Sequence, residues 1–311
     1  MGHVHVGKLP TTAKWGKVIE MLEEGALPQD VAVATADAAA PGWRAAQGDP
    51  ALADAIRLLL RFSAPKATTQ SVLNDLDPTH DISTPTVFAT TGVVADYFFK
   101  QRARYPKQLS DISEIAVHST VVVLLRAARP HEHDPWNGSR SFEGRTLLMK
   151  DFVGTVAGRL LNYYISRESA VSAARIPGKA RERYDALETE VADYCLAAAQ
   201  QVEQTIRTWL DGPGKQEASK QEVHKFTKLL ITSIQGQLTG NIPTKGTAQG
   251  LARRAGAAST ARGFQRQGAP VALHRARPNA SIAAPTSTNT NAISTGLPPV
   301  ARPPSAPRRR A

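Results

Sequence analysis

No Asp or Glu follows Glu222, although the chain of 311 residues holds 27 acids. The C-terminal stretch therefore has no acidic side chains with which to balance its own charge. Between Thr244 and Ala311 the cations are Lys245, Arg253, Arg254, Arg262, Arg266, Arg275, Arg277, Arg302, Arg308, Arg309 and Arg310. The other basic side chains of residues 1–243 equal the acids in number, so the formal net charge of +11 belongs to residues 244–311. A charge excess of this kind bears on partners rather than on fold.

Cysteine is scarce as well. A single one, Cys195, excludes an internal disulfide framework and suits a reducing compartment. Its heptad-like position predicts a small buried hydrophobe rather than a nucleophile. Aromatic residues make up only 6%; with abundant Ala, this favours closely packed helices over a sheet-based core. Long hydrophobic runs are missing too. The most apolar stretch, Val121 to Leu125, falls far short of the ~20 residues that span a bilayer. The opening MGHVHVGKLP carries two His and a Lys where a secretory signal needs an apolar run. Val6 occupies the position that myristoylation reserves for Ser or Thr. The expectation is a cytoplasmic protein without membrane contact.

The sequence is rich in helical periodicity. Trp15, Val18, Ile19 and Leu22 recur at helical spacing behind a Thr11 or Thr12 cap, and Gly25 follows as a stop. Pro28 opens a second, Ala-rich helix that Pro41-Gly42 is expected to end. Asp49-Pro50 and Thr84-Pro85 are start signals, each a capping side chain before Pro at the first helical position. Behind the first lie Leu52, Ile56, Leu59 and Leu60; behind the second, Val87, Phe88, Val94, Tyr97 and Phe98 suggest a mostly buried helix. A weak segment surrounds Val72 to Leu76. From Ser110 or Asp111 to Ala128 the apolar residues cover most of the circumference, which predicts a central helix. Val121–Val123 also fits a short buried strand.

After the polar loop Pro130 to Ser141, apolar positions from Leu147 to Tyr164 continue at helical spacing. Gly154 and Gly158 lie four apart on that stretch and suit close approach of another helix. Tyr184, Leu187, Val191, Tyr194, Ala198, Val202, Ile206 and Trp209 form one seam on a helix of about 30 residues, suited to an intramolecular core or to self-association. A last helix runs from about Ser219 to Leu238. Sustained alternation with hairpin turns is missing, and so is any repeat of fixed period.

The expected fold is all-α: a bundle-like domain of about eight helices over residues 1–243, divisible into 1–62 and 84–240. Residues 244–311, dominated by Gly, Ala, Pro, Ser, Thr, Asn and Arg, are expected to be a disordered tail. Such a composition buries too little apolar surface to offset the cost of ordering its backbone.

Candidate chemistry is sparse. Gly2 to Lys8 spells GxxxxGK, but Leu9 stands where a P-loop needs a hydroxyl, and no strand precedes it. His131-Glu132-His133-Asp134 gathers imidazoles and carboxylates in one loop, without the third spaced ligand that a zinc site requires; His118 and His80 are its only helpers. His118, within an apolar helix, reads as a core histidine. Glu203 and Arg207 are spaced for an i,i+4 pair on a solvated face. The inventory implies no cofactor and no metal.

Arg126-Ala-Ala-Arg-Pro-His131 fits R-x4-H, and Arg126 to His133 fits R-x6-H. This resembles the motif of the HEPN family, small all-α RNases frequent in bacterial defence and toxin systems. The resemblance implies an Arg and a His acting on a scissile phosphate across a dimer interface, here Arg126 with His131 or His133. Ala127 stands where the family has a polar residue, and Pro130 interrupts the motif helix.

The basic tail is the strongest signal. Its guanidinium groups suit neutralisation of nucleic-acid phosphates without base-specific contacts. The expected binding residues are Arg253, Arg254, Arg262, Arg266, Arg275, Arg277, Arg302, Arg308, Arg309 and Arg310, with Phe264 able to stack on a base. The expected function is non-enzymatic: a helical accessory protein bound non-specifically to DNA or RNA, with its body contacting a protein partner or a second copy. The alternatives are the HEPN-like RNase and an adaptor with an inert tail.

Overall fold

The computed structural model describes residues 11–78, 86–104, 111–129, 131–173, 180–212 and 218–240. The eleven tail cations, Phe264 and His80 all lie outside these residues. The described residues form helices and connections, without a strand. All of them belong to one compact unit.

The helices are α1 (Ala13–Glu24), α2 (Pro28–Ala38), α3 (Ala40–Gly48), α4 (Pro50–Phe62), α5 (Thr69–Leu76), α6 (Val87–Arg104), α7 (Asp111–Ala127), α8 (Phe142–Ala173), α9 (Ala180–Gln200), α10 (Glu203–Leu210) and α11 (Lys220–Leu238), with a 3₁₀ turn at Asn137–Arg140 before α8. Their boundaries follow capping chemistry. Thr12 accepts from the Trp15 amide, and Gly25 closes α1 in the left-handed region at φ 74°. Asp49 accepts from the Ala51 amide at 2.8 Å, ahead of Pro50. Ser219 and Glu222 form a reciprocal capping box at the start of α11.

Among the described residues eleven α-helices stand where about eight were expected. Pro41-Gly42 does not end a helical region. It sits in the first turn of α3, because Pro needs no amide partner there, and Ala39 serves as the cap between α2 and α3. The long seam is also two helices. At the junction, the Gln201 and Val202 amides bond three residues back, to Ala198 and Ala199, and tighten the turn. Val121–Val123 is helical within α7.

The centre of the fold is α8, with 32 residues, rather than α7. It packs against α1, α2, α4, α7, α9, α10 and α11. Helix α7 leaves Leu125 and Arg126 exposed. The closest partner of α8 is α9, and the reason is Gly154 and Gly158. A Cβ at Gly154 would lie 3.1 Å from the Leu196 Cα, and one at Gly158 would lie 3.1 Å from the Ala192 Cα. Of the seam, Tyr184, Val191, Val202, Ile206 and Trp209 are buried in the intramolecular core, while Leu187, Tyr194 and Ala198 are half-buried at its edge. Trp15 donates its indole N–H to the buried Glu168 carboxylate at 3.2 Å, tying α1 to the far part of α8.

Helix α6 departs from the mostly buried helix predicted. Phe88 is 83% exposed and Phe99 56%. Gly92 and Ala95 share their face, since residues 88, 92, 95 and 99 fall on one stripe at helical spacing.

Candidate functional site

Among the clefts on the described residues, two bear on the candidate chemistry. The first, about 740 Å³, lies among α4, α6, α7 and α11, and is walled mainly by Phe98, Phe99, Val117, Val121 and Val223. The second, about 930 Å³, is a polar groove. Its floor is the stripe Thr155, Arg159, Asn162 and Tyr163 of α8; α7 supplies one wall and α9 the other. Residues three and four apart on one helix share a face, so this stripe is a direct consequence of helical spacing.

Arg126, in the last turn of α7, faces the second groove. Its Nη1 donates to the Thr155 hydroxyl at 3.5 Å. Beside it, Arg159 is half-buried, and its Nε has no hydrogen-bond partner among the described residues. Burial and then the like charge of Arg126 hold the Arg159 guanidinium below its ordinary pKa. On the opposite wall, burial and then Asp185 push the Glu188 carboxyl above its usual range. Asn162 lies between, donating Nδ2–H to the Glu188 carbonyl at 2.8 Å, while its buried Oδ1 has no hydrogen-bond partner among the described residues. At the far end the groups satisfy one another. Tyr163 donates to Asp111 at 2.6 Å, and Arg167 donates to the Tyr163 hydroxyl at 3.0 Å.

The loop holding His131 and His133 is built around Asp134. That carboxylate accepts from the Thr69 amide and hydroxyl, the Trp136 amide and the Arg140 guanidinium. Burial raises its pKa, and the hydrogen bonds outweigh that, leaving it below the usual carboxylate value. Trp136 is fully buried, against Phe62, and donates to the Leu124 carbonyl at 2.9 Å. His131 and His133 are exposed. Among the described residues no group of three or more His, Cys, Asp or Glu side chains is placed to hold a metal ion. Neither histidine lines the groove that holds Arg126.

His118 is exposed rather than a core residue, and it borders both clefts. The i,i+4 pair Glu203–Arg207 forms at 2.8 Å, and Lys150 joins it at 2.6 Å from Glu203. Cys195 is buried, and its burial pushes the thiol up to about 12. Arg145, at the start of α8, is buried with Nε and Nη2 unpartnered, but it lines neither cleft.

Sequence reasoning missed the groove. Arg126 was singled out for its spacing to histidines, whereas its neighbours come from α8, and no local spacing links α7 to Thr155 or Arg159. The one sequence signal was the Gly154/Gly158 pair, which sets how closely α9 lies along the floor. No described helix is long and apolar enough to cross a membrane. Comparison with protein-family models, curated proteins and solved structures gives no match for this chain.

Proposed function

We propose that this chain is a non-enzymatic helical accessory protein that associates with DNA or RNA through its Arg-rich residues 244–311, without sequence preference. The observation that carries this reading is the partition of charge: eleven cations without an acid in that segment, against a body of net charge zero. Arginine forks neutralise phosphates and release condensed counterions, a contribution that needs no fixed geometry.

The body supports the division of labour. Many of its cations are already engaged, in pairs such as Lys14–Asp37, Lys100–Asp77, Arg140–Asp134 and Lys150–Glu203. The exposed Phe88 and Phe99 on one stripe of α6 support contact of the body with a protein partner or with a second copy. The separation of Arg126 from the exposed histidine loop favours this reading over the RNase alternative.

The test is fluorescence anisotropy with random-sequence DNA and RNA, on the full chain and on a version with the ten arginines from Arg253 to Arg310 changed to Gln. Loss of binding at unchanged circular dichroism supports the reading. Equal affinity of the two proteins rejects it.

A further inference from the structure

Arg159 and Glu188 pose a common problem. Both are half-buried, both border the groove over α8, and neither has an oppositely charged side chain within ion-pair distance among the described residues. Each instead sits beside a group of its own sign, Arg126 for Arg159 and Asp185 for Glu188. A half-buried charge without a counterion is costly, and a structure that keeps two of opposite sign unpaired in one groove invites a ligand that pairs with both.

The register of the groove sets the ligand's shape. Thr155 and Arg159 lie at the level of Arg126, and Asn162 meets the Glu188 backbone. From Arg159 to Asn162 the helix rises about 4.5 Å at 1.5 Å per residue. Arg159 and the Glu188 backbone are thus less than one helical turn apart along the groove. The Asn162 amide, with its Oδ1 buried, braces the Glu188 backbone against the floor. The groove volume of about 930 Å³ is ample for a small metabolite.

We propose that this groove binds a small zwitterionic phosphate ester, with its phosphate held by Arg126, Thr155 and Arg159 and its ammonium by Glu188. Two guanidinium groups match a phosphate dianion and hold it with charge-assisted hydrogen bonds. The acidic Glu188 and Asp193 on the α9 wall disfavour an extended polyanion, so a nucleic-acid strand is a poor occupant. The proposal stands apart from the nucleic-acid reading, because every residue it uses lies in the charge-balanced part of the chain.

Isothermal titration of the full chain with O-phosphoethanolamine and with inorganic phosphate, at matched ionic strength, tests it. The ester should bind at least tenfold more tightly than inorganic phosphate. Arg159→Gln should weaken both probes about tenfold, and Arg126→Gln, at an exposed position, should do the same without risk to folding. Glu188→Gln should bring the ester to the affinity of inorganic phosphate and leave the latter unchanged. Absence of binding to either probe at millimolar concentration overturns the proposal. So does affinity unaffected by both arginine changes, which assigns any binding to residues 244–311, and so does equal binding of the two probes.

Discussion

The Asp134 carboxylate accepts from the Thr69 amide at 3.0 Å and from its hydroxyl at 2.7 Å, across 65 residues of chain. Thr69 is the first residue of α5, so a side chain from a distant loop caps that helix. The same carboxylate holds Arg140 at 2.6 Å, just ahead of α8. One acid therefore joins α5, the histidine loop and the entrance of the central helix.

Asp134→Asn should cost about 1.5–3 kcal/mol, the scale of hydrogen bonds to a charged group. The sign of its pH dependence follows from the depressed pKa. Its stabilisation is present above the unfolded value of about 3.9 and is lost as pH falls through the lower folded value. Urea melts between pH 3 and 7 should show wild type losing more stability toward acid than the variant, whose difference from wild type shrinks below about pH 4.

Gly158→Val should destabilise by about 1–3 kcal/mol, because its Cβ would press on the Ala192 backbone and force α9 off α8. Gly16→Ala is the matched control. That position has no atom within 4 Å of a new Cβ, so the change should stabilise α1 by about 0.5–1 kcal/mol. Thermal melts of the two variants should move in opposite directions.

Cys195 should resist thiol reagents in the native state. With its thiol pushed up to about 12, almost no thiolate exists at pH 8, and the side chain is buried in the core. Labelling by a disulfide reagent should proceed only as fast as the protein opens, and should become immediate in denaturant. Fast labelling of folded protein would contradict the burial of this side chain.

How much was legible beforehand depended on distance along the chain. Caps at Thr12 and Asp49 act over three residues or fewer and were readable, as were much of the core seam and the use of Gly154 and Gly158 for helix contact. Pro41 was misread because Pro at a first turn and Pro after a helix look alike in sequence; which applies depends on whether Ala39 can serve both helices. The break near Val202 was invisible, since the buried Val191, Val202 and Ile206 keep helical spacing across it. Phe88 looked buried because its period fits a core stripe, yet burial needs a facing element, and nothing in the spacing supplies one. The pairing of Asp134 with Thr69, and of Arg126 with Thr155 and Arg159, joins helices dozens of residues apart and leaves no local pattern.

The salt dependence of nucleic-acid affinity tests the central claim most directly. If about five cations of residues 244–311 meet duplex phosphates, log K for random-sequence DNA should fall linearly with log salt at a slope of about −4 to −5. The slope should vanish with the binding when those arginines become Gln. A flat salt profile, or a steep one that survives the substitution, would contradict the assignment of phosphate binding to that segment.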